Sequence, residues 1–256
     1  MARNPQKVES RFARLKEMES AGGSVLLSNA TYRKCAEDAT DGQFELLCEV
    51  LQGEYDARFA SRVARLRRQA GFPCPKDFSD FSWDGVSFPA GFSRDEMLSC
   101  GFVERNENII LFGGVGNGKS HTAVALGTIA CGMGYRVSFQ HTAQLVLDLN
   151  AAAAAGELDR KMAQLAKCDM IILDEWGYLP TDPEGAKLLF RVISMCYERV
   201  SLVITTNIDF SRWGKIFNDE DMAAAMLDRV VHHGRLVTYE RESYRMQHAL
   251  MREEVA

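Results

Sequence analysis

The chain has 256 residues, 46% apolar and 25% charged, with a net charge of −5. These values fit one α/β domain with an appendage, and they exclude collagen, a disordered tail and a disulfide knot. No run approaches 18 apolar residues, so no membrane span is expected. The charged start, Met1-Ala-Arg-Asn-Pro5, has no apolar stretch of the kind a signal peptide carries, and a cytoplasmic protein is expected. The seven cysteines are scattered and never spaced C-x-x-C, which points to reduced thiols in inert packing and against a zinc site. Residues 1–90 carry 13 Lys and Arg against 13 Asp and Glu; the remainder, 17 against 22, holds the whole deficit.

In chain order, Val8, Phe12, Leu15 and Met18 predict an amphipathic helix over 6–19, ended by Ala21-Gly22-Gly23. A second helix fits 29–38. Thr40 or Asp41 can cap a long helix over 43–69, with Gln43 placed to reach back to Thr40. Its apolar stripe is Phe44, Leu47, Leu51, Tyr55, Phe59, Val63 and Leu66, and Gly71-Phe72-Pro73 stops it. Residues 1–70 are therefore expected to form a small all-helical N-terminal domain. Residues 71–102 hold three of the six prolines and a high apolar content, including Phe72, Phe78, Phe81, Trp83, Phe88 and Phe92. That is too apolar for a free linker, so a connector packed on the next domain is expected.

From 103 to 256 the pattern changes. Runs at 109–112, 137–139, 170–173 and 202–205, and a fifth at 235–239, alternate with helical stretches. Short runs buried on both faces are what a parallel sheet flanked by helices requires. The expected fold is α/β, a three-layer αβα sandwich.

Gly113-Gly114-Val115-Gly116-Asn117-Gly118-Lys119-Ser120 follows the first of these strands and leads through His121 into a helix. Glycines let consecutive N–H groups turn inward on phosphate oxygens, and the helix N-terminus adds partial positive charge beneath them. Lys119 would lie along the β- and γ-phosphates of a nucleoside triphosphate, and the Ser120 hydroxyl would ligate Mg²⁺. Met170-Ile-Ile-Leu-Asp174-Glu175 ends a buried strand in two carboxylates, 55 residues after Lys119. Asp174 suits the Mg²⁺ shell, and Glu175 the polarising of an attacking water. Asn207 closes a third strand and reads either as a turn residue or as a ligand of that water. Together these motifs favour nucleotide hydrolysis over simple binding.

The whole pattern resembles the AAA+ ATPases of the helicase-loader and initiator clade, and within it the IstB-like helper ATPases of insertion-sequence transposition. The stretches that carry the resemblance are Asn108–His121, Ile172–Pro180, Trp213-Gly-Lys-Ile-Phe217, Leu227–His233 and Glu242-Ser-Tyr-Arg-Met246. The resemblance implies that Asn207 is the sensor-1 residue and that Arg229 is an arginine finger acting on a neighbouring subunit. It places Arg245 at the sensor-2 position. It also implies a homo-oligomer with ATP at its interfaces, bound to double-stranded DNA and serving a DDE-type transposase. Arg58, Arg62 and Arg65, with Arg68 close by, form a basic helix face that could hold DNA phosphates or be solvated. Arg160, Lys161 and Lys167 form a second DNA candidate. His232-His233 show no convergent Cys or carboxylate in the sequence and are read as packing or interface residues. Two rival readings are a DnaC-type replicative helicase loader, whose N-terminal helices would bind protein, and a monomeric P-loop kinase.

Overall fold

A computed structural model describes residues 5–22, 26–178, 182–217 and 219–244, the side chains of 21, 22 and 215 apart. The chain divides into two compact units, residues 1–65 and 66–256.

The first unit is built from α1 (Pro5–Gly22), α2 (Asn29–Asp38) and most of α3 (Asp41–Ala70). The N-termini of α2 and α3 are fixed by local chemistry. Ser28 Oγ accepts from the Thr31 N–H at 3.2 Å. Thr40 and Gln43 bond reciprocally, with Thr40 N–H to Gln43 Oε1 at 2.9 Å and Gln43 N–H to Thr40 Oγ1 at 3.3 Å, which is the capping box the sequence predicts. Leu15, Tyr32, Phe44, Cys48, Leu51 and Tyr55 form the core of this unit. The Tyr32 and Tyr55 hydroxyls share a buried hydrogen bond of 2.9 Å. Burial, and then that bond, push the Tyr55 phenol up. The stripe on α3 departs from expectation midway. Phe59 is 41% exposed, and burial resumes only at Leu66, because helical spacing fixes a face but cannot supply something to cover it.

The second unit opens with irregular chain, then β1 (Val86–Ser87), α4 (Arg94–Leu98) and α5 (Gly101–Glu104). There follow β2 (Asn108–Gly113), α6 (Lys119–Gly132), β3 (Val137–His141), α7 (Thr142–Ala154), α8 (Leu158–Leu165) and β4 (Met170–Asp174). The described chain ends with α9 (Pro183–Cys196), β5 (Ser201–Thr206), α10 (Trp213–Phe217), α11 (Glu220–His232) and β6 (Gly234–Tyr239). The sheet order is β1-β6-β2-β5-β4-β3. All five strands expected from the sequence are present and parallel. The sixth, β1, pairs antiparallel with β6 and was not foreseen, because two residues carry no periodicity.

Alternate residues of each central strand feed opposite cores. Ile109 and Leu111, Met170 and Ile172, and Val203 join Ala123, Val124 and Leu126 of α6 in one cluster. Ile110, Ile171 and Leu173, and Leu202 and Ile204 join Leu145, Val192 and Met226 of α7, α9 and α11 in the other. This is the three-layer αβα arrangement. Phe72, Phe81, Trp83, Phe88 and Phe92 of the 71–102 segment pack against the α6 side. All seven cysteines are free thiols. Burial pushes Cys131 and Cys168 up to about 11, and Cys100 and Cys196 up to about 12, so these four are unreactive near neutrality. No helix among the described residues is long and apolar enough to cross a membrane.

The chain leaves β2 in one direction to build β3, β4 and β5, then returns to place β6 on its other side. The carboxyl end of β2 is therefore the switch point where ligands of such sheets bind. Asn108 holds this strand in place. Its Oδ1 accepts from the Leu202 N–H at 2.9 Å, and its Nδ2 donates to the Val230 carbonyl at 3.1 Å, tying β2 to β5 and α11. Asn108→Ala strands both backbone groups in the core, and a loss of about 2–4 kcal/mol in urea unfolding is expected.

Candidate active site

The loop from Gly113 to Gly118 joins β2 to α6 at this switch point. Gly116 (φ +81°) and Gly118 (φ +91°) hold left-handed conformations that favour glycine. A Cβ at Gly116 would collide with the Ser243 hydroxyl, and one at Gly118 with the Arg241 guanidinium. The chain therefore needs glycine at both positions for backbone shape and for space. Lys119, 5% exposed, turns its ammonium back into the loop and donates to the Gly113 and Gly114 carbonyls at 2.8 and 2.6 Å. Val115 stands exposed at the tip, while Asn117 is buried and donates from Nδ2 to the Tyr239 carbonyl at 3.2 Å. His121 donates from Nε2 to the Asp77 carbonyl at 2.6 Å, and its ring lies 5.0 Å from that of Phe81.

Asp174 ends β4 beside this loop and is 3% exposed. A buried carboxylate is costly unless hydrogen-bonded, and here two hydroxyls meet one oxygen. Ser120 Oγ donates to Oδ1 at 2.7 Å and Thr205 Oγ1 donates to the same atom at 2.6 Å. His141, at the end of β3 and in register with Asp174, places Nδ1 3.6 Å from Oδ2. Thr142 Oγ1 donates to the Asp174 carbonyl at 2.8 Å. Glu175 follows in a left-handed conformation (φ +59°), its N–H bonded to Thr205 Oγ1 at 2.9 Å. That turn leaves its side chain exposed on the wall of a cleft of about 330 Å³, shared with Thr142, Val146, Asn150, Tyr178 and Phe217. Asn207 comes directly after β5, and its side-chain oxygen is buried without a hydrogen-bond partner.

The structure thus brings Lys119, Ser120, Asp174, Glu175 and Asn207 to the carboxyl ends of β2, β4 and β5. The donor set, a serine hydroxyl and a buried aspartate that bond each other, fits a hard divalent cation such as Mg²⁺, and the glycine cradle fits phosphate oxygens. Arg229 lies on α11, where Nη1 donates to the Ala225 carbonyl at 2.7 Å and the guanidinium sits 5.1 Å from the Phe190 ring. Among the described residues it makes no hydrogen bond to the phosphate loop. Arg245 lies outside the described residues. On α3, Arg58 is paired with Glu54 at 2.6 Å and shares a shallow cleft with Arg62 and Arg65, and Arg68 is exposed. Arg160 and Lys161 are paired with Glu157 and Asp148 at 2.5 and 3.3 Å, while Lys161 and Lys167 join Arg136 around a cleft of about 440 Å³.

Three site residues escaped the sequence reading. Thr205 and His141 sit on neighbouring strands, and only the sheet register reveals them. Arg241 donates from Nε to the Asn117 carbonyl at 2.8 Å and from Nη1 to the Ser82 carbonyl at 2.7 Å, and it stacks 4.8 Å from Phe81. Contrary to the expectation from sequence, a carboxylate does converge on the His232-His233 pair, with Glu198 Oε1 3.2 Å from His233 Nε2. It comes from the turn before β5, 35 residues away, so spacing could not disclose it.

Residues 15–251 match the family described as IstB-like ATP binding protein. The chain is similar to an insertion sequence IS21 putative ATP-binding protein of Pseudomonas aeruginosa, 38% identical over 206 residues that cover 79% of this chain and 77% of that one. It is also similar to an insertion sequence IS5376 putative ATP-binding protein of Geobacillus stearothermophilus, 35% identical over 212 residues covering 82% and 84%. In fold it is similar to AMPPCP-bound DnaA from Aquifex aeolicus, with a TM-score of 0.52 at 16% identity, covering 69% of this chain and 54% of that one. A putative primosome component from Streptococcus pyogenes gives 0.50 at 20% identity, covering 70% and 97%. With a glycine cradle, a buried aspartate and the DnaA-like sheet in one place, the chain belongs to the IstB-like ATP-binding proteins and has their AAA+ fold.

Proposed function

We propose that this protein hydrolyses ATP in a homo-oligomer assembled on double-stranded DNA, and that it delivers that DNA to a partner DDE-type transposase. The observation that carries the hydrolytic part is the pairing of Ser120 and Thr205 on Asp174 Oδ1, with Glu175 exposed one residue on. The insertion-sequence names of the relatives support the transposition setting over a replicative helicase loader.

The chemistry follows from the residues. Phosphate oxygens outcompete the Gly113 and Gly114 carbonyls for the Lys119 ammonium, because a charge-assisted bond is roughly twice as strong as one to a neutral acceptor. The loop N–H groups and the α6 N-terminus bind the remaining oxygens. Ser120 and Asp174 would hold Mg²⁺, which supplies charge neutralisation at the β- and γ-phosphates when bound. Glu175 accepts a proton from the attacking water, and Asn207 offers its amide to orient that water or the γ-phosphate. Arg229, which bonds only its own helix among the described residues, is the guanidinium proposed to complete a neighbour's site. Arg245 is the proposed sensor-2 residue. Hydrolysis then depends on assembly, so ATP orders the oligomer and its cleavage releases it. The DNA surface is proposed on Arg58, Arg62, Arg65 and Arg68, and on Arg160, Lys161 and Lys167, through phosphate contacts that weaken with salt.

Lys119→Ala should weaken ATP binding by at least about a hundredfold, roughly 2.7 kcal/mol, and abolish nucleotide-dependent DNA assembly in sedimentation. ATP-dependent assembly that survives this change would refute the site. Glu175→Gln should bind ATP normally yet turn over about 10²–10⁴-fold more slowly, so DNA complexes should persist in a filter-retention time course. Arg229→Ala alone should lower DNA-stimulated turnover by about 10³-fold or more. Mixing it with Lys119→Ala subunits should restore part of that rate, because mixed interfaces pair an intact loop with an intact arginine. The absence of rescue at every mixing ratio would place the arginine in its own subunit's site.

A further inference from the structure

Away from the nucleotide site, the C-terminal end of α11 meets the turn between α9 and β5. His232 and His233 end the helix with ring centroids 4.2 Å apart, and Glu198 faces them from the turn. Their candidate ligand atoms all lie within 4.8 Å of one another, and no other such grouping exists among the described residues. We infer that Glu198, His232 and His233 form a binding site for a borderline transition-metal ion such as Zn²⁺, Co²⁺ or Ni²⁺, separate from the Mg²⁺–ATP site.

Two imidazoles and one carboxylate form a set such ions accept, with the fourth position left to water. Ligands around a tetrahedral ion with bonds of 2.0–2.2 Å stand about 3.3–3.6 Å apart, so the side chains need to close by roughly 1 Å. They are free to do so: the Glu198 side chain is 58% exposed and that of His233 36%. Two further features hold the groups toward one another. Tyr197 places its hydroxyl 2.9 Å from His232 Nδ1, and in the tautomer that donates this proton the Nε2 lone pair is open to a metal. Glu198 adopts φ +58°, a left-handed conformation uncommon outside glycine, and it is this backbone that carries the carboxylate beside the histidines. The two histidines lie one turn beyond Arg229 on the same helix, so a bound ion would clamp the end of the element that carries it to the α9–β5 turn.

Cobalt titration of the full-length protein, free of nucleotide and in millimolar Mg²⁺, tests this. Mg²⁺ prefers oxygen donors and does not compete for imidazole. One Co²⁺ per chain is expected, tighter than about 100 µM, with visible bands of nitrogen and oxygen ligation and a melting temperature raised by about 5 °C at saturation. His233→Ala and Glu198→Gln should each weaken binding at least about tenfold. Failure of the unmodified protein to bind Co²⁺ at 1 mM would overturn the site. So would affinity unchanged in both variants, or a near-ultraviolet sulfur-to-cobalt band, which would place the ion on cysteines. The spectrum of the unmodified chain decides the ligand type even if a variant folds poorly. Because no nucleotide is present, neither result bears on the ATPase proposal.

Discussion

The buried Asp174 carboxylate is the constraint around which the site is arranged. At 3% exposure it needs strong donors, and it finds them on two other segments, Ser120 at the start of α6 and Thr205 near the end of β5. Each hydroxyl has a single proton, and both protons are given to Oδ1. Their lone pairs remain available, and the Thr205 oxygen uses one to accept the Glu175 N–H. One carboxylate thus fixes the height of α6 against β4, the register of β5 and the backbone of the following glutamate. If it lost its partners, the cost would fall on all three elements, because a buried charge is most expensive when left alone.

The two-sided sheet makes this possible. Each of β2, β4 and β5 sends alternate side chains into opposite cores, and a slip of one residue would exchange the two faces. The apolar cores therefore specify the register that sets Thr205 and His141 beside Asp174. Asn108 adds a polar lock at the opposite end of β2, with both of its hydrogen bonds buried. The same device recurs at both ends: a buried polar side chain whose partners lie on different elements, so that only one arrangement satisfies it.

This also explains what could be read from the chain alone. The glycine cradle and the strand ending in Asp174-Glu175 are contiguous, and their chemistry is local, so residues and spacing disclose them. The five parallel strands were legible because burial on both faces leaves unbroken apolar runs. Thr205, His141 and Arg241 were not, since each enters the site through pairing with a distant segment. The stripe on α3 was read one turn too generously at Phe59, because periodicity marks a face whether or not anything covers it. The His232-His233 pair shows the opposite error, in that adjacency gave no hint of the carboxylate arriving from the turn before β5.

Arg241 shows how the phosphate loop is joined to the rest of its unit. Its guanidinium bonds the Asn117 carbonyl within the loop and the Ser82 carbonyl in the 71–102 segment, and it packs on Phe81. The Tyr244 N–H donates to the Gly116 carbonyl at 3.2 Å, so the chain after β6 lies directly on the loop. Two segments more than 150 residues apart are thereby coupled through backbone atoms of the loop itself. Any ligand that changes the loop carbonyls must be felt by both. The Lys119 ammonium is held by two other carbonyls of that loop, those of Gly113 and Gly114. The segment after β6 and the 71–102 segment are thus tied to the loop through main-chain hydrogen bonds, which a side-chain motif cannot reveal.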